Sequence, residues 1–381
     1  MSIVVFFASA VCDCLVNISV VFYIIMDEFS IDSHKLQFHV EKVSRWLKGE
    51  LTFPIYIEVS PSGACNHRCA YCALDFMGYE PRLLDADAFK ERLKELGRLG
   101  VKSVMYAGEG EPLVHKDIDS IIRRTNESGI DAALTTNGAL MDKGFVESAL
   151  KHLTWVKISL DAGAPATHAT LHGADKGDFS RIIKNIEYAV MYRKKRSIKT
   201  TIGVQMILLP ENAGEAEGLA RLAKKIGVDY LVIKSYSQHP KSITRKYQRL
   251  DYNELTRRLG TALQGISGDG FSVVLRTNAI KRLSDKKRDY KKCLSLPFWA
   301  YIDSGANVWA CSAYLRDKRF LCGNLRENTF RKIWTGEKRK NILRYVDRHL
   351  AVEDCRRNCR MEEANKYLWE LKNPSRHINF I

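Results

Sequence analysis

Three cysteines stand close together in the segment ACNHRCAYC, residues 64–72. Cys65, Cys69 and Cys72 are spaced C-x3-C-x2-C, and cysteine thiolates ligate zinc or iron–sulfur clusters. A structural zinc site needs four ligands, and His67 inside the motif could be the fourth. A cubane iron–sulfur cluster held by three cysteines would instead leave one iron open for a substrate or cofactor. The spacing therefore predicts either a zinc site or a catalytic cluster.

From residue 55 onward, short runs rich in β-branched and aromatic residues alternate with amphipathic stretches. The runs cover residues 55–60, 103–107, 131–136, 155–160, 200–208 and 229–236. Six such β–α units predict a parallel sheet, either doubly wound or curled into a full or partial barrel. Ligands of these sheets bind at the carboxyl ends of the strands. The three-cysteine loop directly follows the first run, so we expect it at that end.

The three-cysteine motif has Tyr71 before its last cysteine and follows the first strand, and it resembles that of the radical S-adenosylmethionine (SAM) superfamily. The resemblance implies a partial (β/α)6 TIM-like barrel and a [4Fe–4S] cluster on Cys65, Cys69 and Cys72. In that family, S-adenosylmethionine chelates the open iron through its amino and carboxylate groups, and its cleavage yields a 5′-deoxyadenosyl radical. His67 then becomes a loop residue rather than a ligand.

Segments after the later strands also match family positions. GEGEP (108–112) resembles a Gly-Gly-Glu-Pro motif, with Glu109 in place of the usual second glycine. That match implies that Glu111 and nearby backbone carbonyls receive the cofactor ammonium. TTNG (135–138) resembles a recurrent family turn, and GVQMIL (203–208) resembles the fifth-strand segment that packs on adenine. SLDA (159–162) matches positions that touch the cofactor's ribose or carboxylate, although in isolation a Ser and an Asp after a strand are more often a helix cap. The residues that the resemblance assigns to the cofactor are Tyr71, Gly110, Glu111, Asn137, Ser159, Asp161 and Arg181.

A second cysteine group lies in the C-terminal part of the chain. Cys293, Cys311, Cys355 and Cys359 are spaced C-x17-C-x43-C-x3-C, which resembles the twitch domain, a shorter relative of the SPASM domain. The resemblance implies one auxiliary [4Fe–4S] cluster on these four residues, with Cys322 left over beside a Gly-Asn turn. Zinc is the alternative, since four cysteines also suit that metal. A fully ligated cluster would have no open iron and would transfer electrons.

The two expected clusters together predict a reaction. Hydrogen abstraction from a carbon that bears OH or NH2 leaves a radical, which gives a carbonyl or imine once a proton and an electron are lost. The auxiliary cluster could take the electron, so oxidation or epimerisation of a sugar, aminocyclitol or nucleotide-linked sugar is expected. Lys234, Tyr236 or His239 could take the proton, or could be solvated loop residues. Modification of a peptide is the alternative function.

The sequence also predicts an order of domains. Residues 26–50 form an N-terminal helix, 51–245 the barrel core, 246–289 a connecting helix and strand, 290–372 a small α+β twitch/SPASM-like domain, and 373–381 a tail. Residues 1–25 are almost wholly apolar, interrupted by Asp13 and Asn17. They are either a membrane anchor, with a cost of about 2.5–3.5 kcal/mol for Asp13 near mid-bilayer, or an untranslated segment before a natural start at Met26.

The chain of 381 residues is basic, with 60 Lys and Arg against 44 Asp and Glu and a formal net charge of +16. This excess predicts either an anionic partner, such as a phosphorylated small molecule, or solvated helix faces. The basic runs do not interleave basic and aromatic residues in a clear nucleic-acid pattern, so no nucleic-acid partner is expected. Grouped cysteines in a long chain that is not cysteine-dense indicate metal ligation in a reducing, cytoplasmic compartment. The chemistry also requires an external one-electron reductant, such as flavodoxin or ferredoxin.

Overall fold

The computed structural model describes residues 29–31, 33–257, 259–284 and 287–380. The apolar segment at residues 1–25, with both of its interpretations, lies outside these ranges. Within them, no helix combines the length and the apolar character that crossing a membrane requires.

One ten-stranded sheet organises the described chain. Its strands are β1 (Tyr56–Val59), β2 (Ser103–Tyr106), β3 (Asp131–Thr136), β4 (Trp155–Ser159), β5 (Thr201–Leu208), β6 (Tyr230–Ser235), β7 (Ser272–Leu275), β8 (Trp299–Ile302), β9 (Asn307–Trp309) and β10 (Leu321–Asn324). They lie in the order β10-β9-β8-β1-β2-β3-β4-β5-β6-β7. Strands β8 and β1 to β7 are parallel, whereas β9 is antiparallel to both β8 and β10. All six predicted core strands are present, and the α/β class is confirmed.

Helices connect the parallel strands, because a parallel pair requires a crossover. The helices of the described ranges are α1 (Val40–Leu47), α2 (Ala86–Arg98), α3 (Ile118–Glu127), α4 (Lys143–Ala149), α5 (Pro165–His172), α6 (Lys176–Lys195), α7 (Ala216–Ile226), α8 (Tyr252–Arg257), α9 (Leu259–Ala262), α10 (Thr277–Ser284), α11 (Phe330–Thr335), α12 (Glu337–His349) and α13 (Glu362–Lys372). Asp85 and Asp142 cap the first turns of α2 and α4 with their carboxylates. Gly173 and Gly227 end α5 and α7 in the left-handed conformation that glycine favours.

Successive side chains of a strand point to opposite sides of the sheet. Ile57 and Ile233 are among the fully buried residues that form the main apolar core with the helices. Glu58, Lys157 and Lys234 occupy the alternate positions of β1, β4 and β6. They therefore face the other, inner side, and we call the space enclosed by that side the lumen.

Residues 355–360, here called the closing loop, contact strands from both ends of the six-strand core. Asn358 Nδ2 donates to Ser235 Oγ of β6 at 3.1 Å, and Arg360 Nη1 donates to Tyr56 OH of β1 at 2.7 Å. Electrostatic interactions also cross the inner side, since Lys157 of β4 and Lys234 of β6 both interact with Arg360, which pairs with Glu58 of β1. Together these contacts indicate a curled sheet. In the described chain β7 and β10 have no further strand partner, so the barrel is partial.

The C-terminal strands continue the core sheet rather than forming a separate one. Strand β8 pairs in parallel with β1, and β7, from the segment predicted to connect the two domains, pairs with β6. The predicted boundaries at residues 245 and 290 therefore do not coincide with breaks in the sheet, and the division into domains stays a prediction.

Apolar packing fills the amino-terminal end of the lumen beside β6 and β7. Phe29 and Ile31 pack against Tyr230, Val232 and Val274. The carboxyl ends of the strands, where the predicted site loops emerge, are therefore the expected side for ligand entry.

Glu109 connects the loop after β2 to the turn between β8 and β9. Its buried carboxylate accepts hydrogen bonds from Ser304 N at 3.1 Å and Ser304 Oγ at 3.0 Å, and it pairs with Arg82 Nη2 at 3.1 Å. Arg82 Nε also donates to Ser304 Oγ at 2.9 Å. The residue that departs from the Gly-Gly-Glu-Pro pattern thus fastens the C-terminal hairpin to the core.

We expect Glu109→Gln to lower the thermal midpoint of unfolding by several degrees. The amide would leave buried donors of Arg82 and Ser304 poorly paired, which costs about 1–3 kcal/mol. The matched control is Glu217→Gln, because Glu217 pairs with Arg221 on the surface of α7, and such pairs contribute about 0–1 kcal/mol. Equal midpoints for the two variants by circular dichroism would contradict the assigned role of Glu109.

Candidate active site

The loop after β1 presents Cys65, Cys69 and Cys72, all half-buried and none in a disulfide. Burial raises the pKa of each thiol, and repulsion from neighbouring thiolates adds to the rise for Cys65, to about 11, and for Cys69. The three sulfurs thus lie within electrostatic reach of one another. Such thiols lose their protons when a bound metal replaces them. In the described ranges, no three His, Cys, Asp or Glu side chains are close enough to share a single metal ion.

The GEGEP loop lies directly against the three-cysteine loop. A Cβ atom at Gly110 would stand 2.0 Å from the carbonyl oxygen of Ala64, so a side chain does not fit there. Glu111 N donates to the same carbonyl at 2.9 Å. The sequence therefore needs glycine at this position to hold the GEGEP backbone one residue away from Cys65.

Glu111 is buried and uses both of its carboxylate oxygens within the protein. Oε1 accepts from Thr136 Oγ1 at 2.6 Å and from Leu113 N at 3.0 Å, and Oε2 accepts from Asn137 N at 2.8 Å. Asn137 Nδ2 donates to Asn66 Oδ1 at 2.8 Å. Burial raises the pKa of Glu111. Glu111 and Asn137 thus join three loops, and reception of the cofactor ammonium by the neighbouring carbonyls stays a prediction.

Asp161 and Tyr71 support the cysteine loop from beneath. Tyr71 OH donates to Asp161 Oδ2 at 2.7 Å, Ile207 N donates to Asp161 Oδ1, and burial raises the pKa of Asp161 to about 6. His172 lies beside them, with Nε2 at 3.1 Å from Tyr71 OH and Nδ1 at 3.5 Å from Cys69 Sγ. Asp161 thus positions Tyr71 and β5, and its contact with the cofactor stays a prediction.

His67 and Arg181 meet at a carboxylate on α6. His67 is buried, with Nε2 at 2.9 Å from Asp178 Oδ2, and Arg181 Nη1 lies 3.0 Å from Asp178 Oδ1. This places His67 as a support of the loop, in agreement with its interpretation as a non-ligand. Arg181 is largely exposed and engaged with Asp178, so its predicted role toward the cofactor carboxylate stays a prediction.

The residues at this end of the sheet fit the group that the motif implies. The three thiols of one loop lie within electrostatic reach of one another, His67 N donates to Cys65 Sγ at 3.4 Å, and hydrogen bonds to the sulfurs are typical of iron–sulfur sites. Ser159, at the carboxyl end of β4, accepts from Gln205 Nε2 at 3.3 Å and faces the lumen. Cys65, Cys69 and Cys72 would hold the cluster, with Ser159 and the GEGEP backbone toward the cofactor.

Four C-terminal cysteines form a second set. Cys293, Cys311, Cys355 and Cys359 are half-buried. Burial and then repulsion from other thiolates of the set raise the pKa values of Cys293, to about 11, and of Cys311 and Cys359, the last to about 12. Met361 N donates to Cys359 Sγ at 3.4 Å. The set provides four sulfur donors, the number that a fully ligated cubane needs.

Cys322 lies apart from that set. It is buried in the main core beside β10, and burial raises its pKa to about 11. The charged groups that act on it are Arg339 and Lys338 rather than other cysteines. This position is consistent with its interpretation as the residue left over.

The closing loop holds two cysteines of the second set against the lumen. Arg356 Nε and Nη2 donate to Ser237 Oγ at 2.8 Å and Ser237 O at 2.6 Å, just after β6. Arg360 pairs with Glu58 of β1 at 2.7 Å. Cys355 and Cys359 therefore lie on a loop that contacts both β1 and the residues at the end of β6.

The three candidate bases differ in their surroundings. Lys234 faces the lumen, and burial followed by repulsion from Lys157 lowers its pKa well below the usual value. Tyr236 is buried against Tyr247. His239 is buried too, accepts from Lys241 N at 3.1 Å and lies 3.2 Å from Ser312 O, and burial lowers its pKa to about 4. Of the three, Lys234 is the one that faces the lumen on a strand, and the role of each as a proton acceptor stays a prediction.

Sequence reasoning missed several charged residues of the lumen. Lys157 on β4, Glu58 on β1 and Arg276 after β7 interact electrostatically with Lys234 or with one another. The sequence did contain an indication of these residues. A charged residue within an otherwise apolar, buried strand is expected on the face opposite to the one that packs against the helices. In WVKISL the residues Val156 and Ile158 bury against helices, which leaves Lys157 inside.

Residues 237–245, here called the strap, connect the loops that carry the two cysteine sets. On one side the strap contacts Asp75, which lies three residues after Cys72. Its carboxylate accepts hydrogen bonds from Ile243 N at 2.8 Å and from Thr244 N at 2.7 Å. On the other side, Lys241 Nζ donates to Leu315 O at 2.8 Å, near Cys311. The strap was not foreseen, since its sequence carries no motif.

We expect Asp75→Ala to release the strap. The amide hydrogens of Ile243 and Thr244 should exchange with solvent about tenfold faster or more, because hydrogen bonds to a charged acceptor contribute about 1.5–3 kcal/mol. Hydrogen–deuterium exchange read by mass spectrometry measures this. Asp87→Ala is the control, because Asp87 is an exposed residue on the surface of α2 and forms an ion pair with Lys90. Unchanged exchange in the strap of the Asp75 variant would show that the carboxylate does not hold it.

Two family models match this chain. The model of the radical SAM superfamily matches residues 59–223, and that of the SPASM iron–sulfur cluster-binding domain matches residues 293–360. Among curated relatives, the AdoMet-dependent heme synthase of Methanosarcina barkeri is 26% identical over 290 residues, 72% of this chain and 80% of the relative. A GTP 3′,8-cyclase of Rhizobium leguminosarum is 30% identical over 186 residues, 47% of this chain and only 51% of its own length.

Solved structures share the fold. SuiB of Streptococcus suis bound to its precursor peptide SuiA has a TM-score of 0.61 at 20% identity, covering 79% of this chain and 69% of that chain. Native anSMEcpe with bound AdoMet has a TM-score of 0.58 at 17% identity, covering 84% and 95%. The radical SAM match contains the first cysteine set, and the SPASM match contains the second. The chain therefore contains a radical SAM domain at residues 59–223 and a C-terminal SPASM iron–sulfur cluster-binding domain at residues 293–360.

Proposed function

We propose that this radical SAM protein abstracts a hydrogen atom from a small polar substrate, such as a sugar, an aminocyclitol or a nucleotide-linked sugar. One auxiliary [4Fe–4S] cluster on Cys293, Cys311, Cys355 and Cys359 then accepts an electron from the substrate radical. With loss of a proton the net reaction is a two-electron oxidation of an alcohol or amine carbon. Return of a hydrogen atom instead gives epimerisation.

The observation that carries this proposal is the position of the closing loop. It bears Cys355 and Cys359 and contacts β1 through Tyr56 and β6 through Ser235, so the second cysteine set borders the lumen. A redox centre at that border is well placed to receive an electron from a substrate held inside. The SPASM domain supports a cluster there, and the four-cysteine set supports a single one.

The residues of the chain have distinct parts in this proposal. When bound, the first cluster and S-adenosylmethionine supply the 5′-deoxyadenosyl radical. Lys234 accepts the substrate proton, because burial and repulsion from Lys157 lower the pKa of its ammonium and so favour the neutral amine in the lumen. Glu111 and Asn137 hold the loops around the cofactor, and Asp161 fixes Tyr71 beneath them. The strap keeps the two cysteine loops at a fixed separation. External one-electron reductants such as flavodoxin or ferredoxin would reduce the first cluster.

Cysteine variants test the assignment of two clusters. We expect roughly eight irons per chain in the anaerobically reconstituted protein. Cys69→Ala should abolish cleavage of S-adenosylmethionine, whereas Cys359→Ala should lose about half of the iron and retain uncoupled cleavage. Cys322→Ala is the matched control and should keep both properties. Equal iron loss in the Cys322 and Cys359 variants, or stoichiometric zinc in the native protein, would refute the auxiliary cluster.

Deuterium transfer identifies the substrate class. Anaerobic turnover with deuterated sugars, aminocyclitols and nucleotide-linked sugars should place deuterium in 5′-deoxyadenosine for one of these classes. The alternative is a peptide substrate. SuiB binds a precursor peptide, but its likeness to this chain concerns the fold. Transfer from a labelled peptide and from none of the small molecules would replace the proposed function with peptide modification.

A further inference from the structure

The first turn of α13 lies against the segments that carry three cysteines of the second set. Helix α13 begins at Glu362, directly after the closing loop, and Met361 N donates to Cys359 Sγ at 3.4 Å. The apolar side of the helix is buried, since Leu368 belongs to the same core cluster as Phe298. The helix is therefore a fixed support beside the second set.

Glu362 connects this support to the backbone at Cys355. Its buried carboxylate accepts a hydrogen bond from Tyr290 OH at 2.9 Å and pairs with Arg288. Arg288 Nη2 in turn donates to Cys355 O at 3.3 Å and to Arg356 O at 2.8 Å. The closing loop is thus held from α13 as well as from the strands of the core.

Asn365, three residues further along α13, faces the segment that carries Cys293. The side chain is buried, and its Oδ1 accepts from Leu294 N at 2.7 Å and from Ser295 N at 2.9 Å. Nδ2 donates to Cys293 Sγ at 3.9 Å. A flipped amide would turn its NH2 group toward the two backbone donors, so the network fixes the N–H groups on the side of the sulfur.

The contact between Asn365 and Cys293 suits a sulfur that ligates a metal. A neutral thiol is a weak acceptor, and a buried donor that is poorly paired is costly. A ligating sulfur carries negative charge, and hydrogen bonds to charged acceptors are the stronger ones. Ser295 Oγ also lies 3.9 Å from the same sulfur, so two polar side chains face Cys293 where it would bind the cluster.

We propose that Asn365 is a positioning residue that fixes Cys293 in the second cysteine set and, through its side-chain N–H, raises the reduction potential of the cluster held there. Such a hydrogen bond stabilises the reduced cluster, which carries one more negative charge, and hydrogen bonds to the sulfurs are among the factors that set these potentials. A raised potential favours uptake of the single electron that the substrate radical loses. The inference rests on the proposed function, because it names the residue that prepares the second cluster to accept that electron.

Replacing the amide with a carboxylate separates the effect on potential from the effect on position. Asn365→Asp keeps an oxygen acceptor for Leu294 N and Ser295 N, which favour the ionised carboxylate, but it removes the donor that faces Cys293. We expect the second cluster of this variant to become about tenfold harder to reduce, or more, which lowers its potential by about 59 mV for one electron. Anaerobic redox titration of the reconstituted protein at pH 9 without substrate, followed by electron paramagnetic resonance, measures both clusters, and the first should keep its potential.

Two further variants complete the test. Asn373→Asp is the matched control, because it makes the same chemical change at the exposed C-terminal end of α13, and both of its potentials should equal those of the parent. Asn365→Leu tests the positioning role, since it removes the acceptor of Leu294 N and Ser295 N together with the donor to Cys293. This variant should lose about half of the iron and still cleave S-adenosylmethionine, which shows that the rest of the protein is folded.

Unchanged potentials in Asn365→Asp with both clusters present would overturn the inference. Full iron content together with parent potentials in Asn365→Leu would also overturn it. These outcomes require two clusters, so they count against the role of Asn365 alone, whereas a single cluster in the parent protein would count against the proposed function. Because the potentials are measured without turnover, failure of every substrate class to transfer deuterium would leave the role of Asn365 intact.

Discussion

The closing loop is the interaction on which the arrangement of this protein depends. Strand β8 extends the core sheet beyond β1 and strand β7 extends it beyond β6, and among the described strands none joins the two edges. Asn358 reaches β6 and Arg360 reaches β1, and the loop that contains them carries Cys355 and Cys359. One short segment thus bounds the lumen, brings half of the second cysteine set to it, and pairs Arg360 with Glu58 of β1.

The parts of the fold that follow from local sequence were predictable. Each predicted core strand is present, because runs such as WVKISL are rich in β-forming residues and alternate along the chain with amphipathic helical stretches. The three-cysteine loop lies at the carboxyl end of β1 because the chain leaves the strand there. The parallel pairing of β8 with β1 was not predictable, since nothing local to Trp299 or Tyr56 states that these distant segments meet. The contacts of the strap were not predictable for the same reason. Its backbone N–H groups donate to Asp75, and since every segment has such groups, the sequence does not indicate which of them will bond.

The candidate site shows a similar division. Motif residues indicated which loops surround the cofactor, but not which atoms remain available to it. The resemblance assigns Glu111 and Asp161 to the cofactor, and the structure adds that both carboxylates also accept hydrogen bonds from backbone N–H groups and hydroxyls of the protein. Glu109 departs from the Gly-Gly-Glu-Pro motif, in which a second glycine is usual at this position. In the structure it holds the C-terminal hairpin through Ser304. Side-chain partners of this kind depend on tertiary contacts that spacing alone does not encode.

The central claim is that one lumen is bordered by two iron–sulfur clusters, one on each cysteine set. Anomalous X-ray scattering from anaerobic crystals, recorded above and below the iron absorption edge, tests it most directly. The account predicts two separate iron peaks, one bounded by Cys65, Cys69 and Cys72 and the other by Cys293, Cys311, Cys355 and Cys359. A single iron peak, or a second peak that persists only at the zinc edge, would contradict it.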